Sequence, residues 1–378
     1  MDNANQTVTT VSLPYYLKLS QIIMGIGVFF YIMIIGQAII IPLIFATLFA
    51  IVLNPFVDFL CKKRFNRIVA ISVSLVVAIV LVASVMYFLS TQASIFTKTF
   101  PQFKLKFNAL LLEATNWVTS HTNVERTKID EWVAKAQSDG LATGAAYLGH
   151  SLGTITNLLV LIFLIPVYIF MILFYKPLLL GFIAKVFPQK KHTVVLEVLE
   201  QSKNLIQSYL IGLLVEAGIV AVLNSVGLLI IGIQYAILLG VIGALLNMIP
   251  YIGGVIAIAM PMLIAFATKS PSSALLVLIA YLIVQFIDNH YIVPKIVASK
   301  VKINALVSIV VVLVGGAMWG IPGMFLSIPI TAIIKVIFDR IEPLKPFGFL
   351  LGDDQPPIGK ILFQVPKFKK KTKQIIIE

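Results

Sequence analysis

From residue 22 onward the chain is written mostly as apolar runs of about 20 residues, separated by short polar or cationic segments. A run of that length crosses a hydrocarbon layer ~30 Å thick as one α-helix, so the pattern predicts an all-α polytopic membrane protein with about eight hydrophobic segments. Residues 22–38 and 40–60 read as two spans meeting near Pro42, in a tight turn or a sharp kink. Residues 68–90 and 154–175 read as a third and a fourth, 208–232 as another, and 273–291 as a span ending in Asp288-Asn289-His290.

Two stretches do not alternate this way. In residues 91–150, Phe103, Phe107, Leu110, Trp117, Trp132 and Val133 recur at roughly helical spacing among Lys, Glu, Asp and Asn. This predicts a small extracytoplasmic helical insert ending in the Gly-rich stretch 139–153. In residues 193–206, Val195, Leu199, Leu205 and Ile206 share one face with acids and Lys203 opposite, which predicts a helix lying at the membrane interface. The expected organisation is therefore N-terminal spans over 1–90, the insert over 91–150, a span plus interfacial helix over 151–207, a transport region over 208–340 and a basic tail over 341–378.

The run 236–268 breaks the length rule, because 33 residues at ~1.5 Å each cover about 50 Å. It is split by Pro250-Tyr251-Ile-Gly253-Gly254 into two pieces of about 14 residues, each too short to cross alone. The run 304–338 repeats the pattern, broken at Gly315-Gly316 and Gly320-Ile-Pro322-Gly323. The two align as a gapped internal repeat, with Pro261 and Pro329 in the second arms. Both read as re-entrant hairpins dipping in from opposite faces.

Charge supports that choice. Lys62, Lys63, Arg64 and Arg67 make a short cationic loop, and Lys176, Lys185, Lys190 and Lys191 follow the fourth span; such segments stay cytoplasmic. With opposed hairpins, Lys295, Lys300 and Lys302 and the tail lysines 367–373 also fall in the cytoplasm. If each long run were a single crossing, residues 295–302 would lie outside, against the charge rule. Residues 1–21 carry no cationic leader pattern, so the first span is expected to be retained.

Composition narrows function. The chain is 59% hydrophobic and 12% charged, with a net charge of +13 carried in segments beside apolar runs. That placement suits anionic lipid headgroups and argues against nucleic acid as a partner. The single cysteine, Cys61, forms no intramolecular disulfide. No Gly-x-Ser-x-Gly elbow, His-Glu-x-x-His pair or phosphate-cradling loop is present, and His121, His150, His192 and His290 are scattered. The sequence thus points away from an enzyme, a metal site or a cofactor.

What remains are polar groups at membrane depth. A charged side chain there costs about 2.5 to 3.5 kcal/mol on insertion scales and usually faces water or a partner. Glu216 and Asp288 stand out; on the hairpin topology both fall in the cytoplasmic half of the bilayer, where they can share one aqueous pocket and exchange a proton. Broken helices also expose backbone dipoles that survive at depth only inside protein or beside water. The expected pathway residues are Glu216, Asn224, Asn247, Pro250, Tyr251, Gly253, Gly254, Asp288, Asn289, Pro294, Gly320, Pro322 and Gly323. Pro294 is further expected to push Val293 out of helical geometry and turn the chain. The bland alternatives are kinked packed helices, interhelical hydrogen bonds and a helix cap.

The run GLLIIGIQYAILLGVIGALLNMIPYIGG, then DNHYIVPKI, then GGAMWGIPGMFLSIPITAIIKVI, together with Asn54-Pro55 early on, resembles the autoinducer-2 exporter family of permease-like bacterial membrane proteins. The resemblance covers most of the chain. It implies an oligomeric secondary transporter of the bacterial inner membrane, exporting a small molecule such as autoinducer-2 or exchanging sodium or lithium for protons. Members often carry Arg-Gly-Gln in the span after the cytoplasmic elbow. Here the stretch is Leu210-Ile211-Gly212-Leu213-Leu214 with Glu216 nearby, a departure that leaves the substrate open. A non-transporting scaffold is the remaining alternative.

Overall fold

The computed structural model describes residues 14–121, 131, 151–249, 253–296 and 301–353, and every regular element among them is helical. The expected all-α polytopic architecture is the observed one. Pro250 and Tyr251 lie outside the described residues, as do Trp132 and Val133.

Helix α1 (Tyr15–Ile35) runs into α2 (Gln37–Lys62) through Gly36. The Gly36 amide donates to the Ile32 carbonyl at 2.8 Å, and the Gly36 carbonyl accepts from the Ile40 amide at 2.9 Å. Gly36 thus keeps an i,i+4 bond on each side of the joint, making it a kink and not a tight turn. Pro42, the expected boundary, lies buried inside α2.

After the cationic turn, α3 (Arg67–His121) continues for 55 residues, about 80 Å. The composition changes at residue 91 with no Gly or Pro at that point, and the helix runs on through Pro101, so the expected insert begins as an extension of the span. Helix α4 (Ser151–Phe174) is followed by α5 (Lys176–Val186), bent away by 63°. A short 3₁₀ turn leads to α6 (His192–Ile231), 40 residues long. The interfacial helix expected at 193–206 and the span expected from 208 are one continuous rod, because no Gly or Pro stands between them.

The long broken runs form α7 (Ala236–Asn247) with α8 (Gly253–Thr268), and α11 (Ala305–Arg340). Between them stand α9 (Pro271–Ile287), a π-helical turn at Asp288–Ile292 and α10 (Val293–Ile296). A final short helix, α12 (Lys345–Leu351), closes the described chain.

Four buried apolar clusters hold the described elements, one of them Val220, Ala244, Val284 and Ile292 at the junction of α6, α7, α9 and the π turn. Ala46, Ala50 and Val57 of α2 pack with Ala70 and Ile71 of α3 and Ile169 and Leu173 of α4. Leu228, Ala236, Leu239, Ala257, Ile264, Val277 and Tyr281 tie the end of α6 to α7, α8 and α9. Leu48, Ile206, Tyr209, Leu213 and Leu326 join α2, α6 and α11.

Both long runs reverse direction. A Cβ on Gly243 would lie 3.6 Å from Ala257 Cβ, and one on Gly253 would lie against the Leu246 carbonyl, so α7 and α8 are antiparallel about residue 250. Within α11 the helix is interrupted at Gly320 (φ 62°, ψ −141°). Gly315 there faces the Gly323 carbonyl and Ser327 Oγ. Residues eight apart in a straight helix would stand ~12 Å apart, so the chain folds back at Gly320. Gly315 and Gly316, read in sequence as a second break, remain helical and instead allow the arms to touch.

Helix α6 measures how the hairpins are set. Lys269, at the open end of the first hairpin, donates to the Ile231 carbonyl at 2.6 Å. Arg340, at the open end of the second, pairs with Glu197 at 2.6 Å. Those α6 residues are about 50 Å apart along the helix. The two hairpins therefore enter from opposite ends of the molecule, as the lysine distribution predicts.

Candidate functional site

Buried positions on α6 recur every fourth residue, as Gly212, Glu216, Val220, Asn224 and Leu228, and form one stripe toward α7, α9 and α10. A Cβ on Gly212 would meet the Ile296 carbonyl at 2.8 Å, and Gly240 is pressed against Ser225. Small residues thus let three helices close on the polar stripe. Helix α9 contributes Tyr281 and Gln285, and the π turn that continues it contributes Asp288, at i, i+4 and i+7.

These elements enclose a cavity of about 10 Å³, room for roughly one water. It is lined by Asn224, Gly243, Asn247, Tyr281, Gln285 and Asp288, with Val220, Ala257 and Val284 closing it. Asp288 is 1% exposed. Asn247, the last residue of α7, donates from Nδ2 to Asp288 Oδ2 at 3.0 Å. Asn224 Oδ1, the Tyr281 hydroxyl and Asp288 Oδ1 are fully buried and have no hydrogen-bond partner. Only Ser202 Oγ shares that condition among the described residues. Gly243 keeps the chamber open, since a Cβ there would stand 3.0 Å from the Tyr281 hydroxyl.

The structure thus brings together Asn224, Asn247 and Asp288 of the expected residues. Gly253 and Gly254 form the neighbouring start of α8; Gly253 allows the close return of the chain, and a Cβ on Gly254 would stand 3.6 Å from Asn247 Oδ1 and Gln285 Oε1. Glu216 is buried on the same α6 stripe, two turns before Asn224, but does not line the cavity. Asn289 is exposed and accepts from Gln285 Nε2 at 3.2 Å. Gly320, Pro322 and Gly323 build the tip of the second hairpin, away from the cavity.

The expectation for Pro294 is corrected. Val293 is helical (φ −56°, ψ −50°), and the chain does not turn there. A proline ring would clash with the carbonyl four residues back and leave it without a donor. The wider π turn at 288–292 absorbs the misfit and keeps the axis running. It also presents Asp288 inward.

Tyr281 and Gln285 were not singled out in the sequence. The signal was available: stepping back from Asp288 by three and seven residues marks the same helix face.

A bundle of long apolar helices with two opposed broken hairpins, the first of them lining a buried polar chamber, defines a polytopic membrane protein of transporter type. The model of the AI-2E family transporters matches residues 20–342, and the chain belongs to that family. It is 25% identical to YueF of Bacillus subtilis (strain 168) over 312 residues, 80% of this chain and 84% of the relative. It is 28% identical to YrrI of the same organism over 80% of this chain and 86% of that one. It is 23% identical over 83% of its length to 90% of TqsA of Escherichia coli (strain K12), which is named an AI-2 transport protein.

Proposed function

We propose that the protein is a secondary transporter exporting a small polar solute, with the Asn224, Asn247, Tyr281 and Asp288 chamber as the site that couples transport to a proton or ion. The observation that carries this is the convergence of three unpaired buried polar atoms on one cavity at a hairpin tip. An unpaired buried polar group costs about 1–3 kcal/mol, so three around one cavity call for a shared occupant, a water or an ion, that bonds to them. Helix breaks beside the chamber add backbone dipoles suited to polar cargo.

On this reading the protein sits in the bacterial inner membrane as a homo-oligomer. Its C-terminus is cytoplasmic, residues beyond 91 in α3 extend outside the bilayer, and it catalyses no reaction. The family and the name of one relative favour autoinducer-2 as cargo.

Sodium or lithium exchange for protons is a second reading, favoured by the cavity itself. About 10 Å³ holds one water or one dehydrated ion. A single carboxylate among neutral amide and hydroxyl oxygens suits a hard monovalent cation in competition with a proton.

Purified protein in liposomes separates the readings. Gradient-driven efflux of entrapped autoinducer-2 supports the exporter. Proton movement on adding sodium or lithium, without solute efflux, supports the antiporter. Neither flux from correctly folded protein leaves the scaffold.

A further inference from the structure

Helix α5 plays no part in the chamber, yet its composition and placement are specific. It is eleven residues long, about 16 Å, too short to cross a bilayer. It leaves the axis of α4 at 63°, and none of its residues is buried. Leu178 and Phe182 are each 66% exposed, and Leu179, Leu180 and Val186 are exposed beside them. Its ends carry Lys176 and Lys185, Lys190 and Lys191 follow, and no acid occurs between residue 176 and Glu197.

The bend is fixed by two contacts. Lys176 Nζ donates to Asn54 Oδ1 at 2.9 Å, and Arg67 Nη2 donates to the Leu173 carbonyl at 2.8 Å. Both bring the root of α5 against the α2–α3 turn, where Lys62, Lys63 and Arg64 are exposed. The acid nearest in sequence to that turn, Asp58, is engaged by Asn54 Nδ2 at 2.7 Å. The result is an uncovered apolar helix with exposed Lys62, Lys63 and Arg64 in the turn next to its root, and exposed Lys185, Lys190 and Lys191 at and beyond its far end.

We infer that α5 lies in the headgroup layer and that, with the α2–α3 turn, it forms a binding site for anionic phospholipid. An apolar face matched with cations is the composition of a helix that rests on a membrane surface. Each such cation favours an anionic surface roughly fivefold. Charge selects the occupant: a soluble acidic partner would leave the leucine and phenylalanine face in water, whereas a lipid surface satisfies both.

The test is lipid retention and depth, neither of which depends on transport. Full-length protein is reconstituted in phosphatidylcholine vesicles with and without phosphatidylglycerol, then extracted, and bound lipid is counted by native mass spectrometry. The variant Lys63→Gln/Lys185→Gln/Lys190→Gln/Lys191→Gln should lose phosphatidylglycerol retention at least about tenfold while phosphatidylcholine retention is unchanged. Equal phosphatidylglycerol retention in the folded variant overturns the site. In a Cys61→Ser background, an environment-sensitive dye on Leu179→Cys should be quenched by lipids brominated near the headgroup. Quenching by aqueous iodide alone, or only by lipids brominated at the chain ends, overturns the interfacial placement.

Discussion

Asn247 closes α7 by donating its side-chain amide to Asp288, 41 positions further on, across a 3.0 Å hydrogen bond. One bond thereby joins the tip of the first hairpin to the π turn of α9 and leaves the second carboxylate oxygen facing the chamber. Asn247→Ala would strip that donor from a buried acid. Losing one partner of a charged buried group costs about 1.5–3 kcal/mol. The thermal midpoint in detergent should fall by several degrees, and Asn247→Asp, which sets two acids face to face, should fall further. Equal midpoints for wild type and both variants would show the bond to be incidental.

Gly253 and Gly254 are adjacent but should differ sharply. A Cβ on Gly253 would overlap the Leu246 carbonyl, whereas on Gly254 its nearest neighbours are at 3.6 Å. Gly253→Ala should cost more than about 3 kcal/mol by forcing the hairpin open, and Gly254→Ala less than about 0.5. Detergent-solubilised yield and unfolding midpoint give the comparison; similar losses in the two variants would refute the tight return.

Gly320 has open space around it, with nothing within 4 Å of an added Cβ, but its φ of 62° and ψ of −141° suit glycine alone. Gly320→Ala should destabilise by about 1–3 kcal/mol through backbone strain. Gly218→Ala, equally uncrowded and helical, should be neutral or slightly stabilising.

Opposed hairpins fix sidedness. In Cys61→Ser cells, Ser272→Cys near the open end of the first hairpin should react with an impermeant maleimide from outside. Lys302→Cys near the open end of the second should react only after permeabilisation. The reverse pattern, or labelling of both from outside, would exclude the arrangement.

Much of this design is legible in sequence because length is a hard constraint. The arms around residue 250 are too short to cross, the run 304–338 is too long for one crossing, and the lysines between 295 and 302 favour opposed hairpins over two single crossings. The chamber is less legible. Asn224, Asn247 and Asp288 can each be picked out as polar groups at depth, but their meeting depends on Gly240 and Gly243 letting α7 settle on α6. Glu216 carries the same chemical signal as Asp288, and only packing leaves it on the stripe but outside the cavity. Pro294 misleads because a proline admits two remedies, a turn or a π-helical widening, and tertiary contacts decide between them. The length of α3 is hidden for a related reason: hydropathy reports the medium, and the backbone continues regardless.

The most direct test of the chamber is gradient-driven flux through purified protein in liposomes, comparing wild type, Asp288→Asn and the exposed-acid control Asp339→Asn. Transport should fall by at least about tenfold in Asp288→Asn, as expected when a buried charge central to the cycle is removed, and stay at the wild-type rate in Asp339→Asn. Undiminished flux through folded Asp288→Asn protein would contradict the assignment of this chamber as the coupling site.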